Sequence, residues 1–103
     1  MSVALNSENF AAEVLESKMP VFVYFYASWW GACASQTPII DELVFDSVGK
    51  VKIAKLMVDD GKDIARKYRV MSIPTMILFE NGNEAKRLVG LHQKSQLKEE
   101  LGL

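Results

Sequence analysis

The chain has 103 residues, 50% of them apolar, enough for one domain that buries roughly 60–65% of its unfolded surface on folding. Its 12 basic and 13 acidic residues leave a formal charge of -1 and form no basic stripe, which argues against a nucleic-acid partner. No apolar stretch approaches the ~20 residues that span a bilayer, and the N-terminus lacks the basic-then-apolar pattern of a secretory leader. One cysteine gives no disulfide framework, so a cytoplasmic protein without membrane contact is expected. No repeat, low-complexity tract or linker divides the sequence, and residues 1–103 read as a single domain.

A short apolar start at residues 2–5 is followed by Asn6 and Ser7, either of which can cap a helix carrying Phe10, Ala11, Val14 and Leu15 at helical spacing and ending near Lys18. Residues 21–27 are β-branched and aromatic with almost no alternation, the pattern of a central strand covered on both faces. From residue 32 to about 48, Ile39, Ile40, Leu43, Val44 and Val48 mark the inner face of a longer helix, which Pro38 should kink and Gly49 should cap. A second buried strand over 51–59 leads to a short helix over 60–68. There Ile64, Ala65 and Tyr68 point inward, and Asp59, Asp60 and Asp63 are placed to cap the N-terminus. A third strand over 75–80 ends at Asn81-Gly82-Asn83, a strong hairpin signal, so a strand over 84–90 should return antiparallel. A last helix from about 94 to 101 turns Leu97 and Leu101 inward. The order βαβαβαββα implies an α/β fold: one mixed central sheet with helices on both faces.

Between the central strand and the long helix stands Trp29-Trp30-Gly31-Ala32-Cys33, which has the form of a redox dithiol motif short of one sulfur. In a Cys-x-x-Cys pair one thiol attacks a target disulfide and the other resolves the mixed disulfide. Here Trp30 stands at the first position and Cys33 is the only cysteine, so no intramolecular disulfide can form. His92 is alone and is expected in a surface loop, with no Cys or His at metal-ligand spacing. The three aspartates lack the spacing and closing glutamate of an EF-hand loop. Neither a metal nor a cofactor is expected.

Other residues in order along the chain add to this motif. Phe25-Tyr26-Ala27-Ser28-Trp29 precedes it, Pro38 lies inside the following helix, and Tyr68, Ile73-Pro74-Thr75, Phe79-Glu80-Asn81-Gly82 and Val89-Gly90 follow. Together these segments resemble thioredoxin over essentially the whole chain. The resemblance implies the thioredoxin fold and a family role in thiol–disulfide exchange as a protein-disulfide reductase. In thioredoxins Trp-Cys-Gly-Pro-Cys opens the helix after the central strand, where free N–H groups and the helix dipole stabilise a thiolate. By position Trp29 and Gly31 match, Trp30 replaces the nucleophile, Ala32 replaces the proline, and Cys33 matches the resolving cysteine. Tyr24 falls where the family carries a buried aspartate that helps move the resolving cysteine's proton, and Lys55 matches the lysine near it. Tyrosine's high pKa makes it a poor base at neutral pH. The resemblance further implies a cis peptide before Pro74. It also implies a groove of Trp29, Gly31, Ser72, Ile73, Pro74, Val89, Gly90 and Leu91 that binds an extended peptide by strand-like pairing.

Cys33 itself is open to two readings: a small apolar residue packed in the first helical turn, or a thiolate favoured by the helix N-terminus. Of the two tryptophans at least one, with Trp30 the better candidate, should face solvent as an apolar contact. Three functions follow. The first is a binding module for protein or peptide partners in extended conformation, inactive as a dithiol reductase. The second is a monothiol redox protein in which Cys33 attacks a disulfide and an external thiol such as glutathione releases it. The third is a disulfide reductase altered at position 30, served by a thioredoxin-reductase-like partner. A monomer is expected.

Overall fold

The computed structural model describes residues 2–103. Five strands, β1 (Val3–Ala4), β2 (Val21–Tyr26), β3 (Lys52–Met57), β4 (Thr75–Glu80) and β5 (Asn83–Val89), lie in the order β1-β3-β2-β4-β5. β1 and β2 run parallel to β3, whereas β4 is antiparallel to both β2 and β5. This is the mixed sheet of a thioredoxin fold.

β2 is central because both its faces are apolar. Val21, Val23 and Phe25 face one core with Phe10, Val14 and Ala65, while Phe22 and Tyr24 face a second with Ile40, Leu43 and Leu97. Each fully buried large side chain of this kind stabilises the fold by roughly 1.5–3 kcal/mol. The second core is roofed by α1 (Gly31–Ser47) and α3 (Lys94–Leu101), the first by a helical turn at Ala11–Leu15 and by α2 (Lys62–Lys67). α3 is tied to α1 by Lys94 Nζ, 2.9 Å from Asp46 Oδ2. That ion pair holds the Asp46 carboxyl below the usual carboxylate range.

Local structure departs from the sequence expectation at four places. The first helix is a short π-helical segment, Ala11–Leu15, closed by Glu16 N donating to Ala11 O (2.9 Å), and it stops short of Lys18. Five residues cannot distinguish a period of 3.6 from a wider turn, and packing Phe10 and Val14 against β2 decides the winding. Asn6 caps the turn that leads into it, its Oδ1 accepting from Glu8 N at 2.8 Å and Asn9 N at 2.9 Å, whereas the segment itself begins after Phe10 with no side-chain cap. The inner stripe of α1 is Cys33, Gln36, Ile40, Leu43 and Ser47; Ile39 and Val44 are only half-buried, and Val48 lies past the helix end and is exposed. Gly49 follows with φ 78, the left-handed geometry that ends a helix.

β3 stops at Met57 and the chain turns through Val58–Asp60. α2 starts after Gly61 with no side-chain cap, so Asp59 and Asp60 do not serve that role. Asp63 instead accepts from Ser7 Oγ across the structure, and this hydrogen bond lowers its pKa. The β4–β5 turn places Asn81 (φ 53) and Gly82 (φ 79) in the left-handed region, as the hairpin signal predicts.

Candidate functional site

One rung of the sheet fixes the site. Phe25 of β2 pairs with Thr75 of β4, and Thr75 pairs with Val89 of β5. The chain leaving β2, the chain entering β4 and the chain leaving β5 therefore meet at the same sheet end. Residues 29–33, 72–74 and 89–91, distant in sequence, converge there.

Trp30 is the last extended residue before α1 (φ -90, ψ 127) and offers no side-chain oxygen as a cap. Its carbonyl accepts from Cys33 N (3.0 Å) and Ala34 N (3.2 Å), which starts the helix and draws Cys33 inward. The first N–H groups of such a helix have no intrahelical acceptor, so its positive end opens at the motif. Both tryptophans are exposed, Trp29 by 63% and Trp30 by 51%, whereas Cys33 is only 1% exposed. Cys33 also forms part of the wall of a shallow hollow of about 320 Å³ with Tyr26, Ser28, Ala34, Thr37 and Pro38.

Tyr24 is fully buried beneath the motif and its ring stacks on Tyr26, with centroids 5.0 Å apart. Its hydroxyl lies 2.9 Å from Thr37 Oγ1 and 3.3 Å from Cys33 O. The phenol has one proton; donated to Cys33 O, it leaves the Thr37 hydroxyl to donate to the phenol oxygen. Burial pushes the Tyr24 pKa above its ordinary value, against the opposing pull of the Thr37 hydrogen bond, and Cys33 adds to the rise. At neutral pH Tyr24 is therefore a donor and not a base. Lys55, paired with Tyr24 in the β2–β3 register, reaches outward to an ion pair with Asp41 of α1. In the second core, the side chain beneath Cys33 is satisfied and neutral, and Lys55 is engaged elsewhere.

On the facing side the Ile73–Pro74 peptide is cis. Pro74 is buried and its carbonyl accepts from Gly90 N at 2.9 Å, while Ser72 O accepts from Thr75 Oγ1 at 2.6 Å. Ile73 N–H and C=O make no hydrogen bond to any other residue among those described. Ser72, Val89 and Leu91 are exposed, and Ile73 and Gly90 are half-buried.

Two residues here had no role in the sequence reading. Gln36 is completely buried; its Nε2 donates to His92 O (3.1 Å) and its Oε1 accepts from His92 N (2.8 Å). One carboxamide thus pins the segment after β5 to α1. His92 lies in the loop between β5 and α3, as expected, and is half-buried there with Nδ1 2.8 Å from Gly90 O. A signal existed: Gln36 is a polar residue three after Cys33 and four before Ile40 on the inner stripe, and a buried amide needs partners. The second is Met71, 91% exposed on the loop leading into Pro74, for which periodicity gave no indication. Among the described residues no group of three or more His, Cys, Asp or Glu could hold a metal ion. Among the described residues no helix is long and apolar enough to cross a membrane.

A mixed five-stranded sheet with a cysteine one turn into the helix after its central strand, facing a cis-proline loop, defines a protein of the thioredoxin fold. The chain matches the thioredoxin family over residues 1–102. It is 43% identical over 97 residues to a thioredoxin of Rickettsia bellii (strain RML369-C), covering 94% of this chain and 92% of that one. A thioredoxin of Mycobacterium bovis (strain ATCC BAA-935 / AF2122/97) is 39% identical over 100 residues, covering 97% and 86%. A bifunctional thioredoxin reductase/thioredoxin of Mycobacterium leprae (strain TN) is 39% identical over 101 residues, which are 98% of this chain and 22% of that protein. The chain belongs to the thioredoxin family, whose general role is thiol–disulfide exchange. Thioredoxins generally act with protein partners and with thioredoxin reductase.

Proposed function

We propose that this thioredoxin-family protein is inactive as a dithiol reductase and works as a single-domain, monomeric binding module for protein segments in extended conformation. The observation that carries this reading is the exchange of roles at the start of α1. The nucleophile's position holds a half-exposed indole, Trp30, and the sole cysteine lies buried behind it. Releasing a mixed disulfide within one chain requires a second thiol, and this chain has none. The groove has what strand-like recognition needs: unpaired backbone groups at Ile73, exposed side chains at Trp29, Val89 and Leu91, and a wall held by the Gly90–Pro74 and Gln36–His92 bonds.

The test has two arms. With excess dithiothreitol the protein should not accelerate reduction of insulin disulfides, and an extended peptide should perturb the Trp29 and Trp30 indoles and the amides at Ile73 and Gly90. Reduction that depends on Cys33 would overturn the proposal.

The hollow beside Cys33 supports a second reading, in which that thiol attacks a disulfide and glutathione releases the product. Alkylation of Cys33 followed against pH decides it: a thiol unreactive into the alkaline range rules this route out.

A further inference from the structure

Two exposed large apolar side chains stand away from the candidate site, at the far end of α1: Phe45 is 82% exposed and Val48 72%. The inner stripe of α1 packs into the second core, and a second stripe of Asp41, Val44, Phe45 and Val48 runs beside it at i, i+3, i+4 and i+7. With Ser2 these residues line a hollow of about 470 Å³, and a smaller one of about 190 Å³ shares Val44 and Val48. Single exposed apolar residues need no explanation, but two flanking adjoining hollows form a contact surface. Phe45 stands about 18 Å along the helix axis from Cys33, so this surface is separate from the groove.

The larger hollow carries charge of one sign. Asp41 is its only charged lining residue; Lys55 holds one of its carboxylate oxygens, Oδ1, and the side chain is still 54% exposed. Residues 31–48 include three carboxylates and no basic residue, so nothing in the last turn of α1 offsets the negative end of its dipole. Lys52, in the smaller hollow, is bound to Glu13 at 3.0 Å, and Lys50 lines neither hollow. Strand addition is hindered at this edge: β1 is the outermost strand, and its Ala4 carbonyl already accepts from Asn9 Nδ2 at 3.0 Å. Recognition here falls to side chains.

We propose that this flank of α1 is a second docking surface, which takes an amphipathic helix of a partner protein whose apolar stripe is flanked by Lys or Arg. Aliphatic side chains of that helix fill the hollow and cover Phe45 and Val48, while its basic residues meet Asp41 and the carboxyl end of α1. An acidic helix would bring like charge to the same rim. The proposal does not depend on the groove reading, since the two surfaces lie at opposite ends of α1.

The probe is a capped amphipathic peptide of Leu, Ala and Lys, with Leu at i, i+3, i+4 and i+7, beside a counterpart with Glu for every Lys. Each is titrated against the full chain at about 20 mM and about 500 mM salt. The amides of Phe45, Val48 and Gly49 report this surface, and Trp emission reports the groove. The Lys peptide should shift those amides, leave the emission unchanged and bind about tenfold more tightly than the Glu peptide, an advantage that shrinks at the higher salt. Phe45→Ser and Val48→Ser should each weaken it about tenfold with little change in melting temperature, because both side chains are exposed. Equal binding of the two peptides, binding that survives both substitutions, or no shift at Phe45 and Val48 up to about 1 mM peptide overturns the proposal. Shifts of the same amides on concentrating the protein alone, abolished by Phe45→Ser, put a second copy on this face and overturn it as well.

Discussion

The two walls of the candidate site offer different things. On the α1 side Trp30 is half-exposed, Cys33 is buried, Tyr24 holds its proton, and Lys55 is paired with Asp41. On the proline side stand a cis Ile73–Pro74 peptide, a tied Gly90 and free backbone groups at Ile73. The contrast teaches that the two walls depend on different things. Sulfur chemistry needs particular side chains at particular positions, whereas strand-like recognition needs backbone geometry that many sequences can supply.

The sharpest way to break this contrast is Trp30→Cys. With two thiols the variant should gain measurable insulin reduction over the native chain's background, yet remain limited because no base serves Cys33. Adding Tyr24→Asp to it should raise turnover by roughly 100-fold, the lower end of what positioned proton transfer contributes. If the single variant already matches the double one, Tyr24 was no handicap and only one sulfur separates this chain from an active reductase.

Next in size is Gln36→Met, which keeps the length of the side chain and removes both bonds to His92. Leaving the His92 N–H and C=O unsatisfied in place should cost about 1–3 kcal/mol in denaturant unfolding. The informative readout is hydrogen exchange at Gly90, whose N–H bonds Pro74 and not Gln36. Faster exchange there means Gln36 positions the whole wall; an unchanged Gly90 means it only satisfies His92.

Trp29→Ala and Trp30→Ala should each weaken peptide binding by about tenfold, with melting temperature nearly unchanged because both rings are exposed. Equal binding by native and variant chains would place recognition wholly on the proline side.

The smallest effect is at Tyr24→Phe, about 1 kcal/mol for the hydrogen bonds lost at Thr37 and Cys33. It also carries a pH signature. A pKa raised on folding means the native state keeps a proton that the unfolded state releases. The stabilisation from neutral Tyr24 is thus complete below the ordinary tyrosine pKa of about 10, and falls by about 1.4 kcal/mol per pH unit above it. A melting curve series above that pH should decline less steeply for the Phe variant.

Much of this protein is determined by its sequence alone. The unbroken apolar run of β2 can only be a strand buried on both faces, Asn81-Gly82 can hardly be other than a tight hairpin, and a lone cysteine precludes an internal disulfide whatever the fold. The ordered motifs around Trp29 and Pro74 bring the family within reach. What required the tertiary structure are the quantities that depend on neighbours distant along the chain. Ser7 lies across from the start of α2, its Oγ donating to the Asp63 carboxylate while its N–H reaches only the backbone carbonyl of Asp60. The inner stripe of α1 runs through Gln36 and Ser47 instead of Ile39 and Val48, because the turn set at Trp30 rotates the helix over the sheet. Cys33 is covered because the helix started at the Trp30 carbonyl draws it inward, and residues 29–33, 72–74 and 89–91 meet at one sheet end because of the Phe25–Thr75–Val89 rung. Periodicity reports which residues prefer to be inside; only the register of strands far apart in sequence decides what meets what at the rim.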